Sequence, residues 1–242
     1  MTDLPGLVKF LDWDSAFFGK RIGRVLPKHL SPAEIEEIDN WSKSEGMDCL
    51  YFLSASSGGE QIFLITQSGY LMMDIRITLQ AVLNSAKPRV SVQTGFSIAS
   101  SSDIASLRHI ASMNHSDTRF YTDTHFERAR CDELYATWIE KSVRDPGQKV
   151  YIYKPEREAL GYISTYCTEN HSVVGLVGIA PVCQGKGIGS KLLQRALAGL
   201  EEEGSAKAEV VTQGSNIKAI QFYEKNGFKI KSIETWFHKW YK

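Results

Sequence analysis

The glycine-rich segment at residues 182–190 has the residue types and spacing that most clearly indicate chemistry. It follows an apolar run at residues 173–179 and opens a helical pattern with apolar residues at Ile188, Leu192 and Leu200. Such a turn leaves backbone N–H groups unpaired at a helix N-terminus, where the helix dipole adds partial positive charge. Because glycines let the backbone approach a bulky anion, the segment predicts an anion-binding turn, and a diphosphate is the anion that we expect.

The spacing within this segment excludes two common phosphate-binding loops. Lys186 stands between glycines and no Lys-Ser/Thr pair follows, so the segment is not a Walker A loop. Its glycines also lack the spacing of a dinucleotide-binding turn, and no acidic partner for a ribose follows the next strand-like run. An ordinary helix start remains an alternative, since glycine also occurs there.

A second segment, residues 216–228, has the pattern N-x-x-A-x-x-F-Y-E-K-x-G-F. Asn216 is a suitable helix N-cap. Gly227 is a suitable left-handed C-cap, and Phe228 is the apolar residue that closes such a cap. A well-capped surface helix would explain these three residues without any catalytic role.

Together the two segments resemble the GNAT acyltransferase superfamily. Gln184-x-x-Gly187-x-Gly189 is similar to its acetyl-coenzyme A pyrophosphate loop, residues 216–228 are similar to its last helix, and one strand-like run at residues 208–212 separates them. The resemblance implies the α/β (α+β) GNAT fold, a mixed central sheet flanked by helices, from about Arg89 onward. It also implies acetyl-CoA as the co-substrate.

The resemblance further implies roles for particular residues. Family members bind the donor's diphosphate on the loop, and they splay the preceding strand so that its free N–H groups hold the pantetheine arm and the thioester carbonyl. Gly178 suits a bulge in that strand. Tyr223 is the expected general acid, with a core tyrosine as the alternative. The expected acetyl-CoA contacts are Val177, Gly178, Ile179, Gln184, Gly185, Lys186, Gly187, Ile188, Gly189, Ser190, Asn216 and Phe222.

The sequence assigns no general base. Four titratable residues in turns are candidates for the general base: His115, Asp117, Glu169 and His171. For each of them a solvated loop side chain is the simpler interpretation. Water could deprotonate a weakly basic amine instead. Arg119 is a candidate for binding a substrate diphosphate, because a guanidinium group fits phosphate geometry, and Tyr121 is a second substrate candidate. A surface arginine is the alternative for Arg119.

Composition and charge exclude several classes of protein. The 28 basic and 28 acidic residues balance, so no overall field attracts nucleic acid or an anionic membrane. No apolar run reaches the length that a bilayer requires, and the N-terminal residues lack the features of a signal peptide. The cysteines are scattered, without zinc-ligand spacing: Cys49, Cys131, Cys167 and Cys183. We therefore expect a cytoplasmic protein with no metal, no membrane and no nucleic-acid partner.

A polar stretch at residues 84–89 has the composition of a linker. It divides the chain into a small N-terminal α/β domain, residues 1–85, and a GNAT domain, residues 86–242. Besides the helix that opens at Ile188 and the capped helix after Asn216, we predict helices over residues 32–44, 60–67, 103–113 and 131–143. The predicted strands cover residues 48–54, 70–79, 93–99, 149–154, 159–167, 172–180, 208–212 and 230–239.

A closer resemblance covers most of the chain. Trp13, Phe17, Phe18 and Gly19 form a W-x-x-x-F-F-G pattern that resembles the opening of bacterial dTDP-4-amino-4,6-dideoxygalactose (dTDP-fucosamine) N-acetyltransferases. Those enzymes also carry a small N-terminal domain. Residues 118–120 and 135–140 are similar to further elements of that family. Core packing is the alternative explanation for the phenylalanine pair.

This resemblance implies an acetyl-CoA-dependent N-acetyltransferase that acts on the 4-amino group of a dTDP-linked 4-amino-4,6-dideoxy sugar, by direct transfer in a ternary complex. Two alternatives remain open: a GNAT that acetylates a protein, polyamine or aminoglycoside amine, and a coenzyme A-binding module without catalysis. Residues 236–241 are strongly aromatic, which suits either the edge of a core or a subunit contact. We expect a homodimer.

Overall fold

The computed structural model describes residues 3–55, 58–83, 94–168 and 172–241. The secondary structure elements, in chain order, are β1 (Val8–Phe10), α1 (Asp12–Phe18), β2 (Ile22–Val25), α2 (Pro32–Ser44), β3 (Cys49–Ala55), α3 (Gly59–Gln67), β4 (Leu71–Val82), β5 (Phe96–Ile98), α4 (Ile104–Asn114), α5 (Arg119–Thr122), α6 (Arg128–Arg144), β6 (Gln148–Tyr153), β7 (Gly161–Cys167), β8 (Ser172–Ile179), α7 (Ile188–Glu202), β9 (Lys207–Gln213), α8 (Ile217–Lys225) and β10 (Lys229–Trp240).

The chain forms two compact units. Unit 1 comprises Met1–Arg76, Thr118–Phe126 and Ile233–Lys242, and unit 2 comprises Ile77–Asp117 and Glu127–Ser232. The predicted linker at residues 84–89 and the predicted domain boundary between residues 85 and 86 lie outside the described residues. The division into residues 1–85 and 86–242 therefore stays a prediction.

Unit 1 is a small sheet with helices. β2 pairs with β1 in antiparallel and with β3 in parallel orientation, and β3 pairs with the second part of β10 in antiparallel orientation. β3 is buried from Cys49 to Ser54, as a central strand must be. The apolar core includes Leu50, Phe52 and Phe237, packed beneath α2 and α3.

Helix α2 begins and ends at the predicted residues, 32 and 44, because its capping signals are complete. The Ser31 side chain accepts from the Glu34 N–H group, and the Glu34 carboxylate accepts in return from the Ser31 N–H group at 2.7 Å. Pro32 occupies the first turn, where its missing N–H costs no hydrogen bond. Local sequence therefore fixes the start of this helix.

Three elements near the N-terminus were not predicted: β1, α1 and β2. Helix α1 carries the W-x-x-x-F-F-G pattern, and Gly19 ends it in the left-handed conformation, with φ of 63°. The Phe18 ring packs against the Phe126 ring at a centroid distance of 4.4 Å. Core packing, the alternative interpretation of the phenylalanine pair, therefore accounts for Phe18 within unit 1.

Unit 2 contains a mixed sheet with helices on its faces. β5 to β8 follow one another in antiparallel order, β8 pairs with β9 in parallel orientation, and β4 follows β9 in strand order. The predicted element order is confirmed, with the short α5 as an additional helix. The bounds of the predicted elements differ from the observed ones by a few residues. The strand predicted over residues 93–99, for example, covers Phe96–Ile98.

Each face of β7 meets a different pair of helices. Ile163 belongs to a buried cluster with Leu192 and Ala196 of α7 and with Tyr223 of α8. Tyr162 precedes Ile163, and successive side chains of a strand point to opposite faces. Tyr162 therefore faces the side on which α4 and α6 pack, opposite to α7 and α8.

The aromatic residues 236–241 pack inside unit 1. Phe237 and His238 are fully buried, and the Tyr241 hydroxyl donates to Asp39 Oδ1 at 2.7 Å. The core-edge interpretation therefore explains this segment. The aromatic residues 236–241 therefore no longer support the expected homodimer, which stays a prediction.

A buried histidine–aspartate pair lies in unit 1. His238 Nδ1 donates to Asp123 Oδ2 at 2.6 Å, and both side chains are fully buried. Burial would raise the pKa of Asp123, but hydrogen bonds from His238, Trp240 and His125 hold that pKa well below its usual range. Burial lowers the pKa of His238 to about 4, and the Arg119 cation acts in the same direction. At neutral pH the pair is a carboxylate and a neutral imidazole.

The first prediction concerns stability at low pH. The pKa of His238 is lower in the folded state, about 4, than the ordinary value of 6.5. The unfolded chain therefore binds this proton more readily between those values, and stability falls as pH falls below about 6.5. We expect His238 to contribute a loss of about 2 kcal/mol in unfolding free energy between pH 7.5 and pH 5, measured by urea denaturation.

The variant His238→Gln should show a smaller loss over the same pH interval. His109 is exposed on α4, so His109→Gln should retain the pH dependence of the unaltered protein. An unchanged pH dependence in His238→Gln would contradict the assignment of His238 as a buried neutral imidazole.

Candidate functional site

Strand β8 separates from β9 halfway along its length. The parallel pairing joins only residues 172–174 of β8 to residues 208–210 of β9. Directly after Val174 the register between β7 and β8 shifts, so that Gly175 and Leu176 together oppose the single residue Ser164. The Ser164 hydroxyl accepts from the Leu176 N–H group at 2.8 Å. A β-bulge therefore marks the point where β8 leaves β9, as expected for a splayed strand.

The position expected for the bulge was wrong. Gly178 stands in regular register opposite Tyr162, three residues after Gly175. A Cβ atom at residue 178 would come within 2.5–2.8 Å of the Tyr162 ring and hydroxyl. Gly178 is therefore glycine because the Tyr162 side chain lies directly on its backbone.

The separation leaves N–H groups of β8 without a strand partner. The Ala180 N–H donates to Leu160 O beside β7, so the alternating pattern directs the Gly178 N–H to β7 and the Val177 N–H away from it. On that side β9 has no residue paired with Val177. The Ile179 N–H, on the same side, makes a long contact of 3.4 Å to Asn114 Oδ1. Val177 therefore presents a main-chain donor to the gap.

The predicted anion-binding turn has the backbone that its glycines indicate. Gly185 and Gly187 have φ of 73° and 76°, and a Cβ at either position would meet nothing within 4 Å. Their backbone conformation, not lack of space, requires glycine. Within the described part of the chain, no group accepts a hydrogen bond from the N–H groups of residues 185–190. Unpaired donors at the N-terminus of a helix are the kind of group that binds anions.

Two side chains flank these donors. Lys186 is exposed, and no described carboxylate forms an ion pair with it. Gln184 folds back, and its side-chain amide donates to Ile179 O at 3.1 Å. The turn is thus tied to the end of β8, and it carries one free positive charge.

The third glycine of the motif has a packing role. A Cβ at Gly189 would lie 3.3 Å from the Phe222 ring and 3.8 Å from Ile179. The start of α7, helix α8 and strand β8 meet at this position. Ser190 accepts from the Asn226 side-chain amide at 3.3 Å, which joins α7 to α8 a second time. The structure therefore brings the predicted acetyl-CoA contacts on these three elements together.

Helix α8 has the predicted caps. Asn216 Oδ1 accepts from the Ala219 N–H at 3.0 Å, Gly227 has φ of 91°, and the Phe228 N–H donates to Tyr223 O at 3.1 Å. The N-cap interpretation of Asn216 is confirmed. It leaves the Asn216 side-chain N–H₂ group available for a further contact.

Tyr223 is buried in the core of unit 2, with 5% of its surface exposed. Burial raises its pKa well above the ordinary value, so the phenol keeps its proton at neutral pH. No described residue forms a hydrogen bond with its hydroxyl. A core position and a proton-donor role are compatible here, because a general acid must be protonated.

His115 is not a solvated loop residue, contrary to the sequence-based interpretation. Its ring stacks on Tyr135 of α6 at a centroid distance of 4.5 Å, and its Nε2 lies 3.2 Å from the Tyr162 hydroxyl. Burial lowers its pKa to about 4. Nothing in the local sequence distinguishes it from a loop histidine, because Tyr135 and Tyr162 are distant in sequence. Of the other base candidates, Asp117 is exposed, and Glu169 and His171 lie outside the described residues.

Arg119 lies in unit 1 and is not a surface arginine. Its guanidinium carbon lies 4.1–4.3 Å from the ring centroids of Phe120, Tyr51 and Trp236. Its Nη1 donates to Nε2 of His238 at 2.7 Å, since the opposite ring nitrogen already donates to Asp123. One edge of the guanidinium group is therefore fixed. Tyr121 is half-buried on α5, and its N–H donates to Thr118 O.

Positive charge is concentrated around Arg119. Burial and the neighbouring cations Arg119 and Arg76 lower the pKa of Arg24. Arg76 pairs with Glu234 at 2.6 Å, whereas no carboxylate among the described residues forms an ion pair with Arg24 or Arg119. Like charges that repel one another in this way favour the binding of an anion.

The arrangement in unit 2 fits acetyl-CoA. The N–H groups of residues 185–190 suit its diphosphate, and the unpaired N–H of Val177 suits the pantetheine arm or the thioester carbonyl.

In the regions that the structure describes, no helix is long and apolar enough to cross a bilayer. The same regions contain no group of three or more side chains arranged to hold a metal ion.

Comparison with known proteins identifies a family domain within the chain. Residues 110–228 match the Acetyltransferase (GNAT) family. The dTDP-fucosamine acetyltransferase of Escherichia coli O6:H1 is 25% identical over 95% of this chain and 96% of that protein. The spore coat polysaccharide biosynthesis protein SpsD of Bacillus subtilis is 23% identical over 47% of this chain, which spans only 39% of SpsD.

A solved structure agrees with the fold. A GCN5-related N-acetyltransferase from Sphaerobacter thermophilus superposes with a TM-score of 0.67 at 14% identity, over 96% of this chain and 76% of that protein. The GNAT fold predicted from the sequence is thereby confirmed. Residues 110–228 of this chain therefore belong to a GNAT acetyltransferase domain.

Proposed function

We propose that the chain transfers the acetyl group of acetyl-CoA to the 4-amino group of a dTDP-linked 4-amino-4,6-dideoxy sugar. The observation that carries this choice of acceptor is the end-to-end alignment with the dTDP-fucosamine acetyltransferase, which includes the segments of unit 1 as well as unit 2. The similarity to SpsD, a polysaccharide biosynthesis protein, agrees with a sugar acceptor.

Acetyl-CoA supplies the acetyl group as an activated thioester. The N–H groups of residues 185–190 bind its diphosphate, with Gln184 and Lys186 beside them. Val177, Gly178 and Ile179 line the gap beside the pantetheine arm and the thioester carbonyl, together with Asn216 and Phe222 of the second motif. Of the three β8 residues, Val177 has the free main-chain donor, because the Gly178 N–H is directed to β7 and the Ile179 N–H contacts Asn114. A donor fixed where negative charge develops is worth about a hundredfold in rate, and Val177 has the free N–H for that role.

Tyr223 is the proposed general acid. Its buried phenol is protonated at neutral pH and can give its proton to the departing thiolate. The amine attacks directly, in a ternary complex, and no residue of the chain is acylated. The proposal assigns no general base.

Arg119 is the proposed contact for the diphosphate of the acceptor, with Tyr121 as a second candidate. The fixed guanidinium group and the repulsion between Arg119, Arg76 and Arg24 favour an acceptor that carries negative charge. A polyamine or an aminoglycoside, which are cations, would gain nothing from these groups. The cytoplasmic location and the homodimer remain predictions.

The second prediction tests the acceptor. Purified protein with acetyl-CoA should release thiol fastest with a dTDP-4-amino-4,6-dideoxy sugar, and slowly with the same amino sugar lacking the nucleotide, with spermidine, with an aminoglycoside or with a lysine peptide. Arg119→Gln should raise KM for the nucleotide sugar and leave KM for acetyl-CoA unchanged. Arg144→Gln, which alters an exposed pair with Glu140 on α6, is the control. Faster turnover of a polyamine or a peptide would overturn the choice of acceptor.

The third prediction tests the anion-binding turn with two matched glycines. Gly187 and Gly204 both have positive φ, 76° and 86°, and a Cβ at either position would meet nothing within 4 Å. Alanine at either position should cost about 1 kcal/mol of stability, because both backbones are left-handed. Only Gly187→Ala should weaken coenzyme A binding, by about tenfold or more, measured by titration calorimetry. Equal affinities in the two variants would show that the turn does not hold the diphosphate.

The fourth prediction tests the acid. Tyr223→Phe should lower kcat by about a hundredfold and leave the coenzyme A dissociation constant within twofold of the unaltered value. Tyr153→Phe, a half-buried tyrosine of β6, should leave both quantities unchanged. If Tyr223→Phe instead reduced affinity and turnover equally, Tyr223 would be a packing residue and not the proton donor.

A further inference from the structure

His115 occupies a defined place at the end of α4, close to the separated strand. It is the residue directly after Asn114, whose side chain contacts the Ile179 N–H. The Tyr162 hydroxyl, its hydrogen-bond partner, lies over Gly178. His115 therefore reaches β8 from the face opposite to α7 and α8, and the acyl-donor residues of β8 lie between the two faces.

The hydrogen bond between Tyr162 and His115 determines the tautomer of the His115 imidazole. Tyr162 is fully buried, and His115 Nε2 is its hydroxyl's one hydrogen-bond partner among the described residues. A buried hydroxyl donates when an acceptor is within reach, so the Tyr162 O–H donates and Nε2 accepts. Burial lowers the pKa of His115 to about 4, and the ring is neutral at pH 7. A neutral imidazole that accepts at Nε2 carries its hydrogen at Nδ1.

The Nδ1–H group is a donor without a partner. No described residue accepts from it, and part of His115 remains accessible to solvent, whereas Tyr162 beneath it is fully buried. Stacking on Tyr135 and the bond to Tyr162 hold the ring in one orientation. The protein thus presents a single neutral N–H donor, held rigidly, on the α4 face of the acyl-transfer strand.

We propose that this Nδ1–H of His115 binds a hydroxyl oxygen next to the amine of the acceptor, and so selects amino sugars over simple alkyl amines. The inference rests on the proposed function and deepens it. A 4-amino-4,6-dideoxy sugar retains a hydroxyl at carbon 3, adjacent to the amine. A neutral donor suits this task, since a charged imidazolium would repel a protonated amine and would be costly to bury. His115 is a binding and positioning residue in this scheme, and no proton leaves the acceptor through it.

The first experiment measures the tautomer and requires no acceptor. Nitrogen-15 NMR of the unliganded protein at pH 7 should show His115 neutral, with the hydrogen on Nδ1 and Nε2 as acceptor. In Tyr162→Phe the fixed tautomer should be lost. A hydrogen on Nε2 in the unaltered protein would overturn the proposal, because Nδ1 could then only accept.

The second experiment measures selectivity for the hydroxyl. An acceptor that the unaltered protein acetylates is compared with its analogue that lacks the hydroxyl next to the amine. We expect kcat/KM to fall by about tenfold or more in the unaltered protein, and by less than threefold in His115→Phe, which keeps an aromatic ring against Tyr135. His109→Phe, on the exposed face of the same helix, should discriminate as the unaltered protein does.

Equal discrimination by the unaltered protein and His115→Phe would overturn the proposal. Should His115→Phe fold poorly, judged by its thermal midpoint, Tyr162→Phe gives the same comparison with the ring of His115 in place, and it should lose part of the discrimination. Failure of the unaltered protein to acetylate any amine while it still binds coenzyme A would instead contradict the proposed function. The NMR measurement of the tautomer would then be the test of the protonation state assigned to His115.

Discussion

The separation of β8 from β9 after Val174 is the constraint on which the rest of unit 2 depends. In a continuous sheet the N–H groups of both strands would be satisfied, and no ligand could reach them. Here the bulge at Gly175 and Leu176 ends the pairing, and the Val177 N–H is left without a strand partner. Unpaired main-chain donors inside a protein are costly. A ligand that accepts from them would remove that cost, and in the proposed function this ligand is the thioester carrier.

The elements around the gap maintain the separation. On one face, the start of α7 packs against Phe222 of α8 through Gly189, and Gln184 bonds back to the last residue of β8. On the other face, Tyr162 lies on Gly178 and is in turn held by His115. The two faces carry different chemistry. The unpaired amides of residues 185–190 and the protonated Tyr223 lie with α7 and α8, and a neutral imidazole lies with α4 on the opposite side of β8.

Unit 1 also contains a neutral histidine that is held by hydrogen bonds. The carboxylate of Asp123 fixes the orientation and the tautomer of His238, and His238 fixes one edge of the Arg119 guanidinium group. Three aromatic rings surround that cation. In unit 1 a fully buried, neutral histidine therefore positions a neighbouring donor group, whereas in unit 2 the neutral His115 is itself held by a hydrogen bond to Tyr162. The sequence marks neither histidine, because the partners of each are brought together only by folding.

The sequence by itself determined the GNAT fold, the order of the elements from β5 to β10, the capped start of α2, the caps of α8 and the glycine turn before α7. These features depend on local patterns: positive-φ glycines, capping residues and apolar periodicity. The glycine motif was interpreted incompletely, since Gly189 serves packing against Phe222, and the bulge was placed at Gly178 and not at Gly175, because register is a property of two strands.

Only the tertiary structure decided what His115, Arg119 and Phe18 do. Each is an ordinary loop or helix residue in sequence, and each takes its role from partners that are distant along the chain: Tyr162 for His115, His238 for Arg119 and Phe126 for Phe18. Burial and hydrogen bonding between distant segments set the protonation and the orientation of these groups, and no local pattern of residues records such contacts.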